Sequence, residues 1–236
     1  MQKDDSNMQI SNFYLPKKDE LNKIMLFLLN NDLSSSQRQK QLNQLQSFVD
    51  LVLKENKHHN IIGKNTQQTI WTRHILDSLQ LTNFVKDRNN NNENYDIIDF
   101  GSGAGFPAIP LSIVLKNQIL CIEKSPVKAK FLQNVKDKLN LKNTTIFNTA
   151  IDENNINTII NKNTIVISRA FKSIDKIFQL LGQPIEENKI KKIVLLKGQK
   201  WQEEIDNTPA HLLKQWKLKN YSSTTGQGVI LVFEKL

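Results

Sequence analysis

The chain has 236 residues, 39% hydrophobic and 23% charged, and its 32 Lys and Arg against 23 Asp and Glu give a formal net charge of +9. That length suits one substantial α/β core with an appendage and is short for two full domains. A single cysteine, Cys121, excludes an internal disulfide or a cysteine-built metal centre, and the longest early apolar run, Ile24 to Leu29, is too short for a secretory signal or a membrane span. A cytoplasmic protein with a polyanionic partner is expected, because clustered Lys and Arg release counterions when they meet phosphate. The chain is also crowded with Asn and Lys, including Asn89 to Asn94, so the basic excess partly reflects composition. Only Arg38, Arg73, Arg88 and Arg169 are arginine, and arginine offers a planar, bidentate geometry that lysine cannot copy.

In chain order, Leu21 to Leu29 reads as an apolar helical segment, and Leu42, Leu45, Phe48, Val49 and Val52 recur at helical spacing after a Ser34-Ser35-Ser36 start. A third helix, Ile70 to Val85, carries WTRHILDSLQL. After the Asn-rich loop come strands near 95–100, 118–123, 143–148, 163–168, 190–196, 214–221 and 228–235, with helices near 107–116, 126–139, 172–182 and 200–207. This alternation predicts a mainly parallel sheet with helices on both faces. The last two strands, joined through Ser222 to Gln227 with no room for a helix, should pair antiparallel. The organisation expected is an N-terminal helical extension, 1–92, and an α/β domain, 93–236.

The stretch IIDFGSGAGFPAIPL, residues 97–111, sets Gly101, Gly103 and Gly105 on alternate positions after a buried strand. G-x-G-x-G differs from the dinucleotide fingerprint G-x-G-x-x-G, since Phe106 takes the sixth place. Glycines there let the chain turn and bring bare backbone close to a ligand, although a tight turn alone would use them too. Pro107 suits the first helical turn, and Pro110 implies that regular helix bonding starts late. Glu123 ends the next strand, where an acidic side chain can accept both hydroxyls of a ribose; the alternative is a solvated carboxylate. Asp99 can hold loop amides, meet the ammonium of an amino-acid ligand, or simply cap the turn.

A parallel sheet ending in one reversed strand, together with G-x-G-x-G, looks like the class I (Rossmann-like) S-adenosylmethionine-dependent methyltransferase fold, here with seven strands. RHILDSL at Arg73 to Leu79, DFGSGAGFPAIPL at Asp99 to Leu111, Phe131-Leu132, SRAF at Ser168 to Phe171, LKG at Leu196 to Gly198, and Asn56 and Asn60 before Ile61-Ile62 carry a closer likeness. In combination, from about residue 42 to the C-terminus, they resemble the glucose-inhibited division protein B family of bacterial 16S ribosomal RNA guanine-N7 methyltransferases. The resemblance implies S-adenosylmethionine as cofactor and N7 of a guanine in the decoding-region loop of 16S ribosomal RNA as acceptor. The partner is then that RNA or the small ribosomal subunit, and a monomer with no metal is expected. On this basis Gly101 and Phe106 line the cofactor with Asp99, Gly103 and Gly105. Glu123 takes the ribose, and Arg169 sits at the end of the fourth strand beside the cofactor. The family commonly has Arg-Ala-Glu after the third strand. Here Thr149-Ala150-Ile151 stands there, so Ala150 and Ile151 flank the adenine through backbone N–H and apolar contact, with Asp152 the nearest acidic group.

The chemistry can be narrowed from residues as well. Methylation of base amino groups commonly uses an Asn/Asp-Pro-Pro-aromatic segment where this chain has Ser168-Arg169-Ala170-Phe171, and cytosine C5 methylation needs a cysteine nucleophile, whereas Cys121 reads as buried. Guanine N7 has a free in-plane lone pair, so no general base is expected. Arg73, His74 and Asp77 share a helix, with Arg73 and Asp77 at i, i+4. They form either a surface ion pair with a packing histidine or a wall that meets RNA phosphate, the guanine edge or the cofactor. Lys197 is either solvated or a substrate contact. His58, His59 and His211 have no metal-site spacing and are expected at the surface. Two other readings stay open at this point: a class I methyltransferase acting on a small molecule or protein, and a non-enzymatic RNA-binding protein with a vestigial nucleotide pocket.

Overall fold

The computed structural model describes residues 15–29, 33–85, 96–226 and 228–236. Tyr95, Arg88, the Asn89 to Asn94 run and the 92/93 boundary lie outside these. Seven strands, β1 (Asp96–Phe100), β2 (Ile119–Ile122), β3 (Thr144–Phe147), β4 (Thr164–Arg169), β5 (Ile190–Lys197), β6 (Trp216–Ser222) and β7 (Val229–Lys235), form one sheet of order β3-β2-β1-β4-β5-β7-β6. β1 to β5 pair in parallel, and β7 runs antiparallel to both β5 and β6. The strand boundaries lie within two residues of those read from the sequence.

Two N-terminal helices, α1 (Lys18–Leu29) and α2 (Ser35–His59), precede the sheet. Ser34 starts α2 with a reciprocal cap: its hydroxyl accepts from the Gln37 N–H (3.2 Å), and the Gln37 amide oxygen accepts from the Ser34 N–H (2.8 Å). Asn60 ends α2 in the left-handed conformation, and the buried Asn56 accepts from the Ile62 N–H at 2.8 Å. These two asparagines thus set how the chain leaves α2. The expected third helix is broken. A π-helical turn, Trp71–Leu76, runs into short α3 (Asp77–Leu79), and α4 (Thr82–Val85) follows a turn. Ser78 donates to the His74 carbonyl (2.6 Å) and Thr82 to that of Leu79 (2.7 Å), so local hydroxyls compete with regular helix bonding.

Beyond β1, α5 (Ala108–Val114) begins one residue later than expected, with Pro107 as its cap and Pro110 in its first turn, where a missing N–H leaves no bond unmade. α6 (Pro126–Leu139) has Ser125 as N-cap and Pro126 at its first position. The sequence reading missed α7 (Ile156–Ile159), a single turn with too few residues to show a period. α8 (Ile174–Leu180) and α9 (Gly182–Glu186) divide at Leu181, and α10 (Trp201–Asp206) is followed by α11 (Ala210–Leu213). Successive strand side chains face opposite ways. Ile97 packs with Phe48, Ile75 and Leu132 of the N-terminal and α6 layer, while Ile98 and Phe100 pack with Ile174, Phe178 and Phe233 on the other face.

Candidate cofactor and substrate site

Strand order reverses at β1, which has β2 on one side and β4 on the other, so a crevice opens at their C-terminal ends. Parallel pairing delivers Gly101, Glu123, Arg169 and Lys197 to this one edge. Because β7 is reversed, the Ser223–Gly228 hairpin loop arrives there too: Val229 is registered with both Lys197 and Ser222.

Gly101, Gly103 and Gly105 all have positive φ, but they serve different ends. A Cβ at Gly105 would sit 2.6 Å from Ile109 Cγ1 and 3.0 Å from Leu132 Cδ2, and one at Gly101 would sit 2.6 Å from Phe171 Cδ2. Both are packing requirements. At Gly103 (φ 57°) the nearest atom is the Gly101 carbonyl oxygen at 3.7 Å, so this backbone faces open space. The Gly103 N–H donates to Glu123 Oε2 and the Ser125 N–H to Oε1, each at 2.8 Å. A carboxylate has about four acceptor sites, which leaves Glu123 capacity for ribose hydroxyls. Glu123→Gln is expected to weaken cofactor binding by about 1.5 to 3 kcal/mol, measured by calorimetry; unchanged affinity would limit Glu123 to holding the loop.

Asp99, registered beside Cys121 in β2, is fully buried and neither carboxylate oxygen has a hydrogen-bond partner. Burial raises its pKa to about 7 and the Glu123 charge adds to the rise, while the Ser102 hydroxyl and Ala108 N–H, near the carboxylate but outside hydrogen-bonding geometry, pull it part of the way back. A buried carboxylate without partners, next to a cradle open at Gly103, fits a ligand that brings a cationic group and a sugar. The Cys121 thiol is buried and its pKa raised, as the sequence reading of an unreactive strand cysteine required.

The RHILD segment packs against the same crevice. The His74 ring lies 4.7 Å from that of Phe106, which also stacks on Phe48 at 5.0 Å, so Phe106 is buried between helix side chains. His74 Nε2 meets Thr66 Oγ1 at 3.0 Å and Nδ1 has no partner. Its pKa falls to about 3, first through burial and then through the charges of Arg169 and Arg73. Asp77 Oδ1 accepts from Gln80 Nε2 (3.0 Å), Ser223 Oγ (2.8 Å) and Thr225 Oγ1 (2.7 Å). Among the described residues there is no Arg73–Asp77 ion pair: Asp77 is engaged by the hairpin loop, and the π turn disturbs simple i, i+4 spacing. Arg73 Nε and Arg169 Nη1 are buried without partners. Burial lowers the Arg169 pKa, while the Asp77 charge opposes that.

Other expected positions are placed differently. Lys197 Nζ donates to the Lys172 carbonyl (2.6 Å) and Glu204 Oε2 (2.7 Å), so it is neither solvated nor pointing freely outward. Ile151 is buried and Ala150 exposed after β3, and Asn155 Nδ2 donates to the Ala150 carbonyl at 2.8 Å. Asp152 Oδ1 accepts from the N–H groups of Asn154 and Asn155, which gives it a turn-holding role. His58, His59 and His211 are exposed. Sequence reasoning missed Thr66, Gln80, Ser223, Thr225 and Glu204. The hydroxyl-rich SSTTG run was the one available signal, and it was read only as a turn.

A ligand crevice at this switch point, beside a sheet whose β7 is reversed, is the architecture of the class I S-adenosylmethionine-dependent methyltransferases. A solved MtNAS mutant in complex with S-adenosylmethionine shares that fold at 12% identity, with a TM-score of 0.52 over 92% of this chain and 90% of that one. A family model described as GidB, rRNA small subunit methyltransferase G, matches residues 41–229. The protein named ribosomal RNA small subunit methyltransferase G of Rickettsia bellii is 35% identical over 83% of this chain and 94% of its own length. That of Magnetococcus marinus is 37% identical over 57% of this chain and 58% of its own. The chain belongs to the GidB family of small-subunit ribosomal RNA methyltransferases.

Proposed function

We propose that this enzyme methylates N7 of a guanine in the decoding-region 530 loop of 16S ribosomal RNA, acting as a cytoplasmic monomer on that RNA or on the small ribosomal subunit. Asp99, Gly103 and Glu123 would hold S-adenosylmethionine by its ammonium, backbone and ribose, and Ala150 and Ile151 would border the adenine. The cofactor supplies a sulfonium-bound methyl group. Arg73 and Arg169 would face the RNA or the cofactor with donors that have no other partner, and residues 1–92 would serve as a helical extension to a 93–236 methyltransferase domain. No helix of the described residues is long and apolar enough to cross a membrane.

The observation that carries the acceptor assignment is His74. It is the one histidine in the crevice, and its burial between two arginine charges leaves it neutral and far too weak a base to collect a proton. Guanine N7 loses no proton on methylation, so alignment of the acceptor with the methyl group supplies the acceleration. Mapping N7-methylguanine in 16S ribosomal RNA with and without the enzyme tests the site directly. In single turnover at saturating RNA and cofactor, the rate is expected to stay nearly flat from about pH 6.5 to about pH 9, and His74→Asn should add no pH-dependent limb. A rate rising tenfold per pH unit, lost in that variant, would point to an amino or hydroxyl acceptor and remove the N7 assignment.

A further inference from the structure

Immediately after Arg169 the chain turns through Ala170, a non-glycine residue at φ 53°, in the left-handed region that L-residues with a Cβ rarely occupy. Phe171 then folds back so that its ring lies against Gly101 and 5.8 Å from that of Phe100. This strained corner carries the Arg169 guanidinium, whose buried Nη1 has no hydrogen-bond partner, and covers one side of the glycine loop. Strain of this kind persists only where the surroundings over-determine it.

Two ties hold the corner. On its β4 side, Ser168 Oγ donates to the Phe100 carbonyl at 3.2 Å. On its far side, Lys197 Nζ reaches from the end of β5 to the Lys172 carbonyl (2.6 Å), and the same ammonium bonds Glu204 Oε2 of α10 (2.7 Å). That oxygen also accepts from the Ile174 N–H at 3.0 Å. The Lys197 side chain is 8% exposed, so its charge is largely removed from water and spent on this junction. From these contacts we infer that Lys197 and Glu204 form a positioning clamp. By holding residues 172–174, they keep Ala170 in its left-handed turn, and so fix where Arg169 and Phe171 stand relative to the glycine loop. Lys197 acts through Arg169 and does not touch RNA.

The inference rests on the methyl-transfer reading and is tested separately from it. A wild-type enzyme with no methyltransferase activity would defeat that reading, whereas the clamp is judged from differences among variants of an active enzyme. Lys197→Met and Glu204→Gln are each expected to lower kcat about tenfold, and the double variant to be no worse than the poorer single one, because residues of one clamp are not additive. The RNA Kd and its dependence on salt should stay at wild-type values in both, since no phosphate contact is lost. Ala170→Gly, which takes the left-handed turn without a Cβ conflict, should restore at least threefold of the lost kcat in the Glu204→Gln background. A general loss of stability would show instead as a lower Tm with kcat unchanged well below it, and would overturn the clamp. So would a Lys197→Met variant whose RNA affinity and salt slope fall while Glu204→Gln behaves as wild type, the pattern of a direct RNA contact. Failure of Ala170→Gly to recover any activity would equally reject it. Should Lys197→Met not fold, Glu204→Gln alone and with Ala170→Gly still decides the matter.

Discussion

Gly103→Val is expected to abolish detectable S-adenosylmethionine binding, a loss of at least about a hundredfold, or roughly 2.7 kcal/mol. Two effects combine. The backbone sits at φ 57°, where a residue with a Cβ is strained by roughly 1 to 2 kcal/mol and a β-branched one more, so the ligand-free loop should relax away from the conformation that the cofactor meets. The new methyl groups also enter the open space over the loop, which the ligand backbone needs. The fold should survive, because the nearest atom to the added Cβ is 3.7 Å away. Gly105→Ala provides the contrast. Its Cβ meets Ile109, Leu132 and Phe48 at 2.6 to 3.2 Å, so it should lower Tm by overpacking the core, an effect of about 1 to 3 kcal/mol. Calorimetry together with thermal melts separates the two, and a Gly103→Val enzyme with normal affinity would mean the ligand lies elsewhere.

The second large effect concerns proton linkage at Asp99. Its carboxyl titrates near pH 7 in the folded protein and near 3.9 when unfolded, so between these values the folded state holds a proton that the unfolded state has released. Stability of the ligand-free protein from this group is therefore full below about pH 4 and is lost as pH rises to about 7, a contribution on the order of 4 kcal/mol. A bound ammonium reverses the preference by favouring the carboxylate. Affinity for S-adenosylmethionine should accordingly climb with pH, by up to about tenfold per unit, and level off above about pH 7. Asp99→Asn should weaken binding and flatten both profiles. Isotherms at a series of pH values in matched buffers read this directly, and an affinity indifferent to pH across that window would place the ammonium away from Asp99. The chemical step, measured with cofactor saturating, stays insensitive to the same titration.

Strand positions and the mainly parallel sense of the sheet were legible because most strands are short apolar runs alternating with helices, and the reversed β7 followed from a connection too short to cross the sheet, whereas the order of the strands was not read from the sequence. The glycine loop and Glu123 were legible because the backbone demands at a strand end are local. What could not be read depends on contacts distant in sequence. Lys197 looked like a solvated lysine or an RNA contact until its ammonium was found between Lys172 and Glu204. Likewise, Arg73 and Asp77 have ideal helical spacing for an ion pair, yet Ser223 and Thr225 engage Asp77 from the hairpin. Nor could equal glycines be told apart: only packing shows that Gly101 and Gly105 answer to neighbouring side chains and that Gly103 faces the crevice.

The bonds from Asp77 to Ser223 and Thr225 join positions 146 and 148 residues apart. Closing a loop of that length is entropically slow, and such contacts form late in folding. During vectorial synthesis the glycine loop, β2 and the RHILD segment all emerge well before the hairpin that completes the crevice wall. A nascent chain therefore presents the glycine loop and Glu123 together before Ser223 and Thr225 have emerged to engage Asp77, so the two sides of the crevice are completed at different times.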